Sequence, residues 1–408
     1  MNKNNYQNIK HIKKVSPLFL LITLSLLSAF GPFVTDLYLP SLPFLTEYFN
    51  TSASLVQLSL SLSMLGLALG QLLVGPLSDK YGRKRPLIIC MWMFIISTIA
   101  CIFSWNIYSF VIFRLIQGMA GAGGVVLSKS IPTDLFSGKE LAKYIAIISA
   151  INGIAPVISP VIGGLLLQFT NWRGIFTFLL ALGLLILIMS YYLDESLPIK
   201  KRSNKSTFST FISLKKIFRN PTYVFNTFTL VSAALVLFSY ISASPFIIQT
   251  HYGFSPLVFS LCFALNSLGI VIGSVLSMRF KQTKNSILVG SSGLFIFALS
   301  TAFCLFNNLP FIYLETCFII MMMFIGFIFP SATALALDSE RENAGAASAA
   351  IGAFTFLAGS ICSPLVGIGN IMHSTAILIM SGAILACLFC FFARRNEKLI
   401  KIKLSLKK

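Results

Sequence analysis

The chain has 408 residues, of which 56% are apolar and only 11% charged, with a mean hydropathy of +0.86. A soluble globular chain carries roughly 25% charged residues, so a water-soluble domain is excluded: too few charges exist to cover its surface. The net charge of +19 would suit a nucleic-acid binder, but its placement along the chain points elsewhere.

A helix crosses the bilayer core with about 20 apolar residues. Such runs are predicted at 16–40, 53–77, 87–104, 107–130, 141–168 and 172–194, and again at 221–249, 255–279, 286–306, 310–336, 345–370 and 373–393. The expected fold is an all-α polytopic membrane protein with twelve transmembrane helices. The first run follows Lys13 and Lys14 as a signal peptide would, yet its apolar stretch continues toward Leu39 without a small-x-small cleavage site. An uncleaved first helix is therefore expected. Basic residues gather in the amino tail, at 80–85, 129–143, 200–219 and 279–284, at Arg341 and from Arg394 onward. With an even number of crossings all of these lie on one side, and only Arg114 and Arg173 depart from it. The positive-inside rule makes that side the cytoplasm. The charge is read as topogenic, with no nucleic-acid partner, and the protein as multi-pass in a bacterial inner membrane with both termini cytoplasmic.

The halves repeat. Pro43-Phe44-Leu45 returns as Pro245-Phe246-Ile247, Gly66-x-x-x-Gly70 as Gly269-x-x-x-Gly273, and Ser159-Pro160 as Ser363-Pro364, at offsets of 202, 203 and 204 residues. The division expected is a basic tail (1–15), a six-helix half (16–194), a basic linker (195–220), a second six-helix half (221–393) and a second basic tail (394–408). Two pseudo-symmetric halves with a site between them is a transporter plan. All eight cysteines fall inside predicted spans, where they behave as small hydrophobes. Disulfides are not expected, and Cys387-x-x-Cys390 reads as lipid-facing rather than redox-active. His11, His251 and His373 are scattered near span ends, and no metal site is assembled from them.

Between the second and third spans the chain reads Gly75-Pro76-Leu77-Ser78-Asp79-Lys80-Tyr81-Gly82-Arg83-Lys84-Arg85. Gly75 is expected to permit close helix approach, Gly82 to make a tight turn, and Asp79 to offer its charge to a facing helix N-terminus. The segment resembles the G-x-L-x-D-x-x-G-R-[KR] signature of the major facilitator superfamily. The second-half equivalents of Asp79 and Gly82 are Gln282 and Asn285, so one latch rather than two is expected. The fourth span holds Arg114-Leu115-Ile116-Gln117-Gly118, similar to the R-x-x-Q-G signature of proton-coupled members. An arginine inside a span persists only where it meets a partner or water. Where the family shows an Arg-Asp pair after this span, Thr133-Asp134 stands here, and Asp134 is left to answer Arg83. The fifth span carries Gly153, Pro156, Ser159, Pro160, Gly163 and Gly164 and resembles the antiporter signature, with Ser159 replacing the usual glycine. Prolines four apart bend the helix, and the glycines let a neighbour close against it. Phe33 to Pro43 with Gln57 and Gln71 is similar to the bicyclomycin/chloramphenicol-resistance branch of the drug:proton antiporters. This resemblance covers nearly the whole chain and implies the superfamily's fold, export by exchange, no cofactor beyond the proton gradient, and a functional monomer without an obligate protein partner.

Of twelve acidic residues, only Asp36 and Glu315 are placed to reach a cavity between the halves. Asp36 is the expected proton carrier, with Arg114 tuning it. Glu315 falls close to the position symmetric to Arg114, and is expected to pair with that arginine or to receive a cationic substrate; an acid at the outer water boundary is the plain alternative. Phe33, Tyr38, Gln117, Tyr240 and Phe246 are expected to wall the cavity. Export of a metabolite such as an amino acid, sugar or siderophore remains open at this point, as does a facilitator or channel. An ATP-driven pump is disfavoured because no G-x-x-x-x-G-K-[ST] loop is present, and no nucleophile, base and acid share a plausible enzyme site.

Overall fold

A computed structural model describes residues 16–202, 217–341 and 344–405. The amino tail with Lys3, Lys10, Lys13 and Lys14, the linker lysines Lys205, Lys215 and Lys216, and Glu342 lie outside the described residues. Among the described residues, twelve helices are long and apolar enough to cross a membrane and there is no strand. They are α1 (Pro17–Asp36), α2 (Ala53–Tyr81), α3 (Lys84–Ile102), α4 (Ile107–Leu135), α5 (Gly138–Phe169), α6 (Trp172–Tyr192), α7 (Pro221–Pro245), α8 (Pro256–Ser277), α9 (Thr283–Phe306), α10 (Phe311–Ser339), α11 (Ala344–Val366) and α12 (Ile371–Ser405).

Their starts follow local chemistry. The first amides of a helix lack intrahelical partners, and short polar side chains take them: Ser16 for Phe19 at 3.2 Å, Asn106 for Ser109 at 2.8 Å and Asn220 for Thr222 at 3.1 Å. The first span is not one straight helix. Pro40 and Pro43 interrupt it, and the chain leaves α1 at Asp36, turns through Leu39–Ser41 and resumes as a short helix, Leu42–Tyr48. The seventh span ends likewise, in a wider turn of π type over Phe246–His251 after Pro245. α12 continues well beyond the predicted 393, since Arg394 and Arg395 end an apolar run without ending a helix.

The repeated glycine pairs do the same work in both halves. A methyl group on Gly66 or Gly70 of α2 would overlap backbone of α4 at Leu115 and Met119, and one on Gly118 would overlap the Ser63 carbonyl oxygen. In the second half, Gly269 and Gly273 of α8 meet the backbone of α10 at Ile319 and Met323 in the same manner. Small residues at four-residue spacing allow backbones to touch where lipid gives no hydrophobic drive for association. α1–α6 and α7–α12 thus form two tightly packed groups that meet along α2 with α11 and α5 with α8.

The two groups close on each other at the end opposite the termini. Along α2 and α11, Ser54 donates to the Pro364 carbonyl (3.0 Å), Ser363 donates to the Gln57 carbonyl (3.1 Å), and Ser61 donates to the Ser360 carbonyl. Gln57 also donates to the Ser242 carbonyl on α7 (3.1 Å), and Gln249 donates to the Pro40 carbonyl (3.1 Å). Gln71 stands over Gly352; of these crossing contacts it lies nearest the end that carries the termini.

Candidate functional site

Arg114 sits on α4 with 0% of its surface exposed. It does not snorkel to water, and among the described residues no acid pairs with it. Its Nη2 donates to the Val34 carbonyl at 2.8 Å and its Nη1 to Gln117 Oε1, while Nε has no partner. The guanidinium lies 4.2 Å from the centre of the Tyr38 ring and 5.6 Å from that of Phe176. Val34 is in the last turn of α1, where carbonyls lack intrahelical donors and the helix dipole is negative. The break after Asp36 therefore creates the acceptor that the buried cation uses. Gln117 in turn donates to Thr98 (2.7 Å), and the Tyr38 hydroxyl meets Ser59 Oγ at 3.1 Å.

This corrects three expectations. Asp36, 6% exposed at the end of α1, is not a partner of Arg114; the arginine takes a carbonyl two residues earlier on the same helix. Tyr38 and Gln117 do not wall a cavity in this conformation, because both are buried in holding the guanidinium. Tyr240 and Phe246 are buried too, whereas Phe33 stays partly exposed. Glu315 does not pair with Arg114 either. Its Oε1 accepts from Asn266 Nδ2 at 2.9 Å, and the same amide nitrogen lies 2.8 Å from the Tyr240 hydroxyl. Each charge is taken up by neighbours within its own half.

At the end that carries the termini, Arg83 organises the turn between α2 and α3. Gly82 adopts φ +91°, a left-handed conformation that favours glycine. The arginine donates to Asp134 through Nε (2.8 Å) and Nη2 (3.3 Å), and its Nη1 donates to Asp79 (2.6 Å) and Ser78 (2.7 Å). Burial works against this charge, but hydrogen bonds and charges from Asp134 and Asp79 outweigh it and hold the guanidinium above its ordinary pKa. Asp134 thus answers Arg83 without the family's second arginine. Two expectations fall here. Asp79 engages Arg83 instead of a helix N-terminus, and Gly75 brings no helix close, since a Cβ there would meet nothing within 4 Å.

Sequence reasoning missed Glu195. This residue, assigned to the linker, accepts from the backbone amides of Arg83 (2.7 Å) and Lys84 (3.2 Å), and Ser196 donates to Asp134 at 3.0 Å. It satisfies orphan amides at the start of α3, as an N-terminal acid does. A signal was available: an Asp-Glu-Ser triplet directly after an apolar span.

In α5 the expected antiporter segment divides. A methyl on Gly163 would overlap the Leu37 carbonyl oxygen at the end of the first span, within the same half, whereas one on Gly164 would strike Ser260 of α8, so Gly164 fits where the halves close. Pro160 is buried beside them and Pro156 is partly exposed. Gly153 is exposed, with open space around it.

Residues 21–364 match the family model of the Major Facilitator Superfamily. The chain belongs to the major facilitator superfamily. Its relatives within the superfamily include an uncharacterized MFS-type transporter, YdgK, of Bacillus subtilis (strain 168), 37% identical over 88% of this chain and 93% of the relative. A bicyclomycin resistance protein homolog of Haemophilus influenzae is 26% identical over 94% of this chain and 98% of that protein. Among solved structures, a bacterial homolog of the human lysosomal transporter Spinster, in an inward-facing and unoccupied conformation, superposes with a TM-score of 0.75 at 17% identity. The overlap covers 93% of this chain and 98% of that one, and shows a shared fold. As a superfamily member the protein is a multi-pass membrane protein of a transporter family, with drug-resistance proteins among its relatives.

Proposed function

We propose that this protein exports small, largely apolar toxic compounds in exchange for protons, by alternating access, across a bacterial inner membrane. The observation that carries the reading is the end of α1, just inside the closed end of the two halves: Asp36 is buried there, two residues beyond the Val34 carbonyl that holds the buried Arg114, which pairs with no acid among the described residues. Burial penalises a carboxylate's charge, so Asp36 exchanges protons according to which side has water access. Arg114, fixed by the Val34 carbonyl and the Tyr38 ring, keeps a positive field at this helix end whatever the state of Asp36.

The basic segments support a cytoplasmic side for the termini. The closed end then faces outward, and substrate enters from the cytoplasm or inner leaflet while Asp36 lacks its proton. Protonation from outside favours release and resetting. The bicyclomycin-resistance relative supports drugs over metabolites as the exported class, and Gly164, packed against Ser260 where the halves meet, supports exchange over channel-like leak.

The test uses purified protein in liposomes with an inward proton gradient and labelled amphenicols, quinolones and lipophilic cations. Wild type should drive preloaded substrate out of the liposomes against its concentration gradient, and Asp36→Asn should lose that gradient-driven efflux while remaining folded. Transport indifferent to both the gradient and the substitution would make the protein a facilitator and remove this mechanism.

A further inference from the structure

We propose that Glu315 is a second proton site of this transporter, lying just inside the closed end of the second half and cradled by Asn266 and Tyr240. It extends the proton-exchange reading above and rests on it, but depends neither on the exported compound nor on Asp36.

The geometry starts from the repeat. Tyr38 of the first half corresponds to Tyr240 of the second at an offset of 202, and Glu315 lies two residues before Cys317, the position that an offset of 203 pairs with Arg114. In the first half the tyrosine ring holds a cation; in the second the tyrosine hydroxyl shares an amide with a carboxylate. Glu315 is 6% exposed although α10 begins only four residues earlier, at Phe311. No cation faces it. Its titratable neighbours are Tyr240 from α7 and Cys262 from α8. Cys304 of α9 faces Cys317 instead, and Cys362 of α11 donates to the Gly359 carbonyl. Asn266 donates to Oε1 and the Cys262 thiol stands beside the carboxylate, while Oε2 and Asn266 Oδ1 are buried without a hydrogen-bond partner of good geometry.

An ionised carboxylate so placed is uncompensated, a situation proteins avoid by pairing or neutralisation. A proton on Oε2 removes the charge and supplies a donor to a cluster that has unfilled acceptors. The route for that proton follows from the closed end. Ser260, which meets Gly164 across the halves, precedes Asn266 on α8, and Gln249, which meets Pro40, follows Tyr240 in the seventh span. Separation of those contacts brings water to the cluster from the closed side. Glu315 takes up its proton there and surrenders it once the halves close and the opposite end is wetted.

The experiment is acid-minus-alkaline infrared difference spectroscopy on the purified full-length protein in lipid, read in the carboxylic C=O stretching region. Wild type is expected to show one band that Glu315→Gln removes and another that Asp36→Asn removes. Asn266→Ala, which strips the hydrogen bond but keeps the acid, should shift the first band alone. The companion measurement is the limiting substrate concentration ratio across the liposome membrane. With one pH unit across the membrane, losing one proton per cycle is expected to lower it about tenfold in Glu315→Gln without abolishing gradient-driven export. A difference spectrum unchanged by Glu315→Gln, or an Asn266→Ala band at the wild-type frequency, overturns the proposal. Loss of the Asp36 band or of export in Asp36→Asn alone bears on the earlier reading and leaves this one standing. Should Glu315→Gln fail to fold, Glu315→Asp keeps an acid at the site and must retain a titrating band at a new frequency; its absence is equally fatal.

Discussion

Opening of the closed end can be measured against the hydrogen bonds that hold it. Gln57 and Ser61, one turn apart on α2, both donate across to the second half. A buried hydrogen bond between neutral groups contributes about 0.5–1.5 kcal/mol net. Gln57→Ala/Ser61→Ala removes both donors and weakens closure by about 1–3 kcal/mol, or roughly 5- to 150-fold in the closed-to-open ratio. Spin labels at the exposed Glu47 and His251, which flank the closure on opposite halves, report the change by double electron–electron resonance in a cysteine-depleted background. The expected result is a second, longer distance population in the double variant. Ser300→Ala, whose hydroxyl bonds within its own helix at an exposed site, should leave the distribution as it was. An unchanged distribution in the Gln57/Ser61 variant would refute the reasoning, because the crossing donors would then carry no closing energy.

Two further outcomes concern stability, each read by thermal unfolding of purified protein in detergent. Arg83→Gln leaves Asp134, whose side chain is only 12% exposed, without its cation, and should cost about 3–5 kcal/mol; the exposed Asp79 adds little. Arg83→Gln/Asp134→Asn should recover more than about 1 kcal/mol of that loss, and strict additivity would contradict the pairing. Gly118→Ala should destabilise by about 1–3 kcal/mol or more, since its methyl overlaps the Ser63 backbone. Gly75→Ala, with nothing within 4 Å, should instead gain about 0.5–1 kcal/mol from a stiffer unfolded chain; equal effects at the two glycines would contradict both assignments.

The helices were legible because twenty apolar residues have few other uses, and most predicted ends fall within a few residues of those observed. The errors occur where charge and helicity part company, as at the carboxyl end of α12. Gly66, Gly70, Gly269 and Gly273 could be read because paired glycines at helical spacing mark a facing backbone. Gly75 bears the same letter, yet whether a second helix arrives there is a matter of tertiary placement. The buried Arg114 was visible as a cost that needed a partner. That the partner is a carbonyl, not a carboxylate, depends on a helix break whose freed backbone groups no residue type announces. Glu195 was hidden by its position, since an acid at the head of a basic linker reads as solvated until the α3 amides are found above it.

The seam between α2 and α11 carries one last implication, about speed. Serine hydroxyls in a helix have an alternative acceptor in a carbonyl one turn back on their own helix. Ser61 and Ser363 can therefore rotate from a foreign carbonyl to a domestic one as the halves part, while Ser54, at the very start of α2, has no turn of helix behind it. Gln57 has no such near alternative for its amide. The seam thus works as two self-healing catches beside a stiff one, and the parting of α2 from α11 should be paced by the release of the Gln57 amide.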